Sequence, residues 1–170
     1  MTLLGFQFDN RPSIAAHMGL IKKKFNCRVW LLRHLKQAGV SNKDVAQIYA
    51  STIRSAVEYA APIYGPMMNS SQSNDLEKMQ RQALKIIYGY RTSYENALAQ
   101  SNLTRLDVRR NEIVEKFAKK LPENFSRWLP ERPDIQYGLR RRTAYLEGNS
   151  QTERLYRSPL FTYRRILNGL

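Results

Sequence analysis

Apolar residues recur at intervals of three and four along most of the first 120 positions of this chain, and that period makes it helical before anything else is considered. Ile14, Met18, Ile21, Phe25, Val29, Leu32 and Leu35 form one such stripe, opened by Ser13 as cap and closed by Gly39. A second helix is expected after Ser41, where Asp44 three residues on resembles a capping box. Its buried face would hold Val45, Ile48, Tyr49, Thr52, Ile53, Ala56 and Tyr59.

The stretch Tyr59-Ala-Ala-Pro-Ile-Tyr-Gly-Pro66 then breaks the pattern. Pro62 and Pro66 lack a backbone N–H and bias the residues before them away from helical angles, so Ala60–Pro66 reads as an extended, bent connector. A third helix resumes after the Ser70, Ser71, Ser73, Asn74 cluster, whose side chains can cap its free amides. It carries Leu76, Met79, Ala83, Ile86 and Ile87 on one face, Lys78, Arg81 and Lys85 on the other, and Gly89 where a left-handed cap is wanted. A short fourth helix is expected from Ser93 to about Gln100. A fifth opens at Thr104 and Asp107, buries Leu106, Ile113, Phe117 and Leu121, and should stop at Pro122.

Two short regions differ in kind. Leu4, Phe6 and Phe8 alternate with Gly5 and Gln7, which predicts one N-terminal β-strand with an apolar face. A lone strand is not stable in water, so it needs a partner near the C-terminus or from strands upstream. Beyond Pro122 the regular pattern fails: Pro130, Pro133 and Pro159, with Gly138 and Gly148, punctuate an irregular basic tail, of low order from about Glu131 to Arg154. The fold class expected is mainly α, a bundle of about five helices with one N-terminal strand.

Twenty-eight Lys and Arg against 14 Asp and Glu give a net charge of +14. Basic residues outnumber acidic ones 9 to 3 in residues 1–60, 4 to 3 in 61–100 and 15 to 8 in 101–170, so two basic arms flank a nearly neutral middle. Such an excess is self-repulsive unless a polyanion neutralises it, which points to nucleic acid first and an anionic membrane surface second. One cysteine, Cys27, excludes an internal disulfide framework, and with only His17 and His34 beside it there is no zinc-ligand spacing. No apolar run approaches the roughly 20 residues that span a bilayer. No signal-peptide pattern opens the chain. An intracellular location, nucleus or cytoplasm, is expected.

With these elements in order, the chain resembles the segment that follows the polymerase palm in reverse transcriptases of non-LTR (LINE, jockey-like) retrotransposons. Leu4-Gly-Phe-Gln-Phe-Asp9 is similar to the strand that closes that palm, and His17 to the histidine opening the next helix. Tyr59–Pro66 resembles the family's Tyr-Gly-x-x-x-Trp-x-Pro pattern, with Tyr64 in place of Trp and Ala60 in place of Gly. Leu76-Glu-x-Met-Gln-Arg-x-Ala-Leu-Lys-Ile-Ile-x-Gly89 is similar to its most recognisable helix. Ser93-Tyr-Glu-x-Ala-Leu98, Leu106-x-x-Arg-Arg110, Lys116-Phe-Ala-Lys119, Ser158-Pro159 and Leu167-Asn168 continue in the expected order.

The resemblance implies residues 1–12 as the remnant of the palm-closing strand, 13–121 as a thumb-like helical domain and 122–170 as the basic tail. It also implies partners: an RNA or RNA/DNA duplex, and the palm itself, which in the family precedes Met1. The Phe/Tyr-x-Asp-Asp motif, through which the family binds magnesium, is absent from this sequence, which has no adjacent acidic pair. Two-metal phosphoryl transfer needs such carboxylates. On its own, this chain is therefore expected neither to polymerise nor to hold a cofactor, as a truncated or separately encoded copy would.

The residues expected to meet phosphates are Lys22, Lys23, Lys24, Arg28, Arg33 and Lys36 in the first helix, Lys78, Arg81 and Lys85 in the third, and Arg140, Arg141 and Arg142 in the tail. Each group has a plainer explanation as a solvated face, and Glu77 stands where it can pair with Arg81. Asn26, Trp30 and His34 share one row opposite the apolar stripe. Trp30 is expected to be a knob buried against the tail, with a base-stacking platform as the alternative. A different class of function stays open: a co-opted helical protein-interaction module that docks through its apolar strand and tail. Membrane association is the weakest of the three.

Overall fold

The computed structural model describes residues 2–3, 6–7, 14–125, 145 and 152–169. Its elements are β1 (Thr2–Leu3), β2 (Phe6–Gln7), α1 (Ala15–Gln37), α2 (Asn42–Ile48), a π-helical segment (Tyr49–Arg54), α3 (Ser55–Glu58), α4 (Ala61–Tyr64), α5 (Ser70–Tyr88), α6 (Tyr94–Ser101), α7 (Leu106–Phe125), α8 (Glu153–Tyr156) and α9 (Pro159–Leu167). The protein is mainly α. The described residues do not support a single N-terminal strand. Instead β1 and β2 pair antiparallel, Thr2 with Gln7 and Leu3 with Phe6.

The chain divides into two compact units. The first comprises residues 1–61 and 68–110. Here α1 packs on α5, α2, the π segment and α3, and α5 also packs on α6 and α2. The α1 stripe is buried from Ile14 through Met18, Ile21, Phe25, Val29 and Leu32, as its period requires. α1 ends at Gln37, and Gly39 just beyond it turns the chain with a φ of +81°, in the region L side chains avoid. Ser41 caps α2 by accepting the Asp44 N–H at 3.2 Å and donating its hydroxyl to the Asp44 carboxylate at 2.7 Å.

From Asn42 to Glu58 the chain is continuously helical, but the π turn underwinds it. Val45, Tyr49, Ile53 and Val57 form a buried row at a spacing of four, with Ala46 and Arg54 buried beside it. The face expected from an α period is therefore corrected: Thr52 and Tyr59 are exposed, while Arg54 is turned inward to 4% exposure. The guanidinium is satisfied there, donating to Glu58 Oε1 at 2.6 Å and to Thr104 Oγ1 at 3.2 Å. Thr104 thus serves Arg54 rather than capping α7.

The connector differs from expectation as well. It is not extended throughout, because Ala60 adopts a left-handed φ of +59° and one helical turn follows immediately. Pro62 sits in the first positions of that turn, where its missing N–H costs nothing. The cap of α5 is Asn69 rather than the serine cluster. Asn69 Oδ1 accepts the Gln72 N–H at 2.8 Å, and Gln72 Oε1 accepts the Asn69 N–H at 3.0 Å, a complete capping box. Ser93 caps α6 at Asn96.

The second unit comprises residues 62–67 and 111–170. Val114 and Ala118 of α7 and Tyr163 of α9 are its buried centre, flanked by Leu121 and Ile166. The Phe117 ring lies 5.5 Å from that of Tyr163, and Phe117 itself is partly exposed because Val114 and Ala118 take the inner face. The Tyr163 hydroxyl donates to the Pro62 carbonyl, and burial pushes its pKa up. Asn168 clasps the Tyr145 backbone, accepting its N–H at 3.0 Å and donating to its carbonyl at 3.2 Å. α7 does not stop at Pro122 but runs on to Phe125, since a proline in the last turn removes a single hydrogen bond.

Candidate nucleic-acid interface

α5 presents two chemically opposite faces, and its inner one is more polar than its apolar period implies. Leu76, Met79, Ala83, Leu84 and Ile87 are buried, but so are Glu77 and Gln80. A buried carboxylate and amide need partners, and both have them. Tyr49 donates to Gln80 Oε1 at 3.4 Å, while Gln80 Nε2 donates to the Tyr94 hydroxyl and the Thr104 carbonyl, both at 3.0 Å. Tyr94 in turn donates to Glu77 Oε1, and Glu77 Oε2 accepts the Leu106 N–H at 3.1 Å. Burial and the neighbouring carboxylate raise the Tyr94 pKa, and burial raises that of Tyr49, so both stay protonated donors. Glu77 is therefore committed inward, and the Glu77–Arg81 pair that the spacing allows does not form.

That leaves the outer face of α5 cationic. Lys78, Arg81 and Lys85 are all exposed and follow each other at intervals of three and four. Arg81 lies over the Tyr94 ring at 4.9 Å and Lys85 over the Tyr90 ring at 6.0 Å, with Tyr90 itself 80% exposed. At the N-terminal end of the stripe, Asp75 accepts a hydrogen bond from Lys22 of α1 at 2.8 Å on one oxygen and pairs with Lys78 at 3.6 Å through the other. These cations hold the Asp75 carboxyl below its ordinary value, led by the Lys22 hydrogen bond. Asp75 thus joins the α5 stripe to α1.

The α1 cations do not form a second stripe. Successive helical positions turn by about 100°, so Lys22, Lys23 and Lys24 face three directions although all are exposed. Lys22 points to α5, whereas Arg28 donates at 2.5 Å to the Thr52 carbonyl in the π segment. Lys36 donates to Asn42, and Arg33 is exposed. Arg140, Arg141 and Arg142 lie outside the described residues.

Trp30 corrects the expectation of burial: it is 60% exposed, its ring centroid 3.8 Å from that of His34. Its position on the α1 period, opposite Val29 and Leu32, outweighs its size. Sequence reasoning missed the aromatic partners of the α5 stripe, Tyr90 and Tyr94, although Tyr90-Arg91 beside Gly89 is a local signal for an exposed ring. It also missed Asp75 as the shared anion.

A groove of about 540 Å³ between α2 and the C-terminal ends of α5 and α6 is lined by Asn42, Lys43, Gln47, Tyr88, Gln100 and Asn102 among others. With one cation among its lining residues, it is not a polyanion channel. Among the described residues no His, Cys, Asp and Glu cluster could hold a metal ion, and no helix is long and apolar enough to cross a membrane. No protein-family model, curated protein or solved structure matches this chain.

Proposed function

We propose that this chain is a nucleic-acid-binding, thumb-like segment of a non-LTR retrotransposon reverse transcriptase, which holds an RNA-containing duplex by its phosphates and does no polymerase chemistry itself. The observation that supports this most is the outer face of α5: Lys78, Arg81 and Lys85 in one row, with Tyr90 and Tyr94 beside them and Asp75 linking Lys22 to the same edge. The helix that carries this row is also the one whose residues most resemble the family. Cations at helical intervals of three and four follow a phosphate backbone without reading bases, which gives affinity with little sequence preference.

The test is binding of the full chain to an RNA/DNA hybrid across a salt series. Three to six phosphate contacts weaken binding by roughly 40- to 2,000-fold between 50 and 200 mM salt. A flat response overturns the proposal and favours a helical module that binds protein.

A further inference from the structure

The outer face of α1 carries a second feature, independent of the α5 row. Trp30 exposes 60% of its surface, a large fraction for the residue type that gains most from burial, and the His34 ring one turn on leans against it at a tilt of 39°. The His34 Nδ1 lies 3.0 Å from the Trp30 carbonyl oxygen, which fixes the imidazole over the indole. Around Trp30 at i−7, i−4, i−3, i+3 and i+7 stand Lys23, Asn26, Cys27, Arg33 and Gln37, all exposed. The 23 residues of α1 include six Lys and Arg and no Asp or Glu. An exposed aromatic platform on a helix with only positive charge is complementary to a ligand that has both a flat apolar face and anionic links.

We infer that Trp30, backed by His34, is a stacking platform for an unpaired nucleobase, with Lys23 and Arg33 meeting the phosphates on either side of it. The ligand class is single-stranded nucleic acid, because a base inside a duplex offers no free face. A protein partner with an apolar knob would find on this face two cations, two amides and the small Cys27 rather than a broad apolar surround. The site deepens the proposed nucleic-acid function, and is distinct from the duplex contact on α5.

The full chain carrying Trp128→Phe leaves Trp30 as the sole indole. Titration with a 12-nucleotide oligo-uridylate quenches Trp30 emission, whereas a blunt RNA/DNA hybrid binds without quenching it. Trp30→Ala weakens oligo-uridylate binding about tenfold and leaves hybrid affinity and both salt slopes unchanged, while Trp30→Phe keeps most of the single-strand affinity. Unchanged emission at saturating single strand overturns the inference, as does an equal loss for single strand and hybrid in Trp30→Ala. A blue shift with protein concentration alone also overturns it, in favour of self-association. If the hybrid binds but the single strand leaves Trp30 emission unchanged, only this inference falls; if neither ligand binds, the proposed function falls too.

Discussion

The carboxylate of Glu77, on α5, accepts the backbone N–H of Leu106 at 3.1 Å, so one helix supplies the N-terminal cap of another. At the same helix start Thr104 is turned to Arg54, while Asp107 accepts the Val108 N–H at 2.8 Å and also forms a two-point contact with Arg105. Glu77 is 8% exposed and also receives the Tyr94 hydroxyl.

Replacing Glu77 therefore strands two donors at once. Glu77→Ala is expected to cost about 2–4 kcal/mol in urea unfolding, and Glu77→Gln about half of that, since its amide oxygen satisfies one donor. A Glu77→Ala protein with an unchanged midpoint would show that the cap carries no stability.

Ala60 holds a left-handed φ of +59°. For an L residue with a Cβ this costs about 1–2 kcal/mol, and glycine removes the clash at some cost in chain entropy. Ala60→Gly should stabilise the protein by about 0.5–1 kcal/mol. A lower thermal midpoint in this variant would contradict the geometry.

Asp75 neutralises Lys22 and Lys78 in the free protein. Asp75→Asn releases both, so affinity for an RNA/DNA hybrid should rise, and the log–log salt slope should steepen by about one to two. Weaker binding by this variant would place the duplex elsewhere on the molecule.

His17 is 3% exposed, and burial, helped by the charge of Lys24, lowers its pKa below the usual 6.5. The unfolded chain then takes up a proton before the folded one does, so stability is complete above about pH 6.5 and declines as pH falls toward the folded value. Urea midpoints at pH 7.5, 6.5 and 5.5 should fall in order for the natural protein and be nearly level for His17→Gln. Asp75, Asp107 and Glu115, whose pKa values are held low by their basic partners, act only in more acidic solution.

The two long early helices show what is legible in this sequence. In α1 the α period runs unbroken, and the stripe from Ile14 to Leu32 is buried where the pattern places it. In Asn42–Glu58 the pattern fails halfway, because a π turn leaves the residue types unremarkable while rotating Arg54 in and Thr52 out. The basic row of α5 was readable from spacing. The roles of Glu77 and Gln80 were not, since their partners Leu106, Thr104, Tyr49 and Tyr94 lie 14 to 31 positions away in sequence. Trp30 was misplaced because bulk and hydrophobicity argue for burial, and only its azimuth on the helix argues against it.

The chain Tyr49, Gln80, Tyr94, Glu77 runs in one direction only. Each hydroxyl or amide hydrogen points onward to the next acceptor, and the last link is a carboxylate with no hydrogen to return. Such a relay has a polarity, so its members are not independently exchangeable. A glutamate at position 80 would present an acceptor to Tyr94, whose single hydrogen Glu77 already claims, and one of the two carboxylates would have to take a proton. Related sequences should therefore change positions 77, 80 and 94 together or not at all, a signature by which true descendants of this fold can be told from proteins that share only its charge.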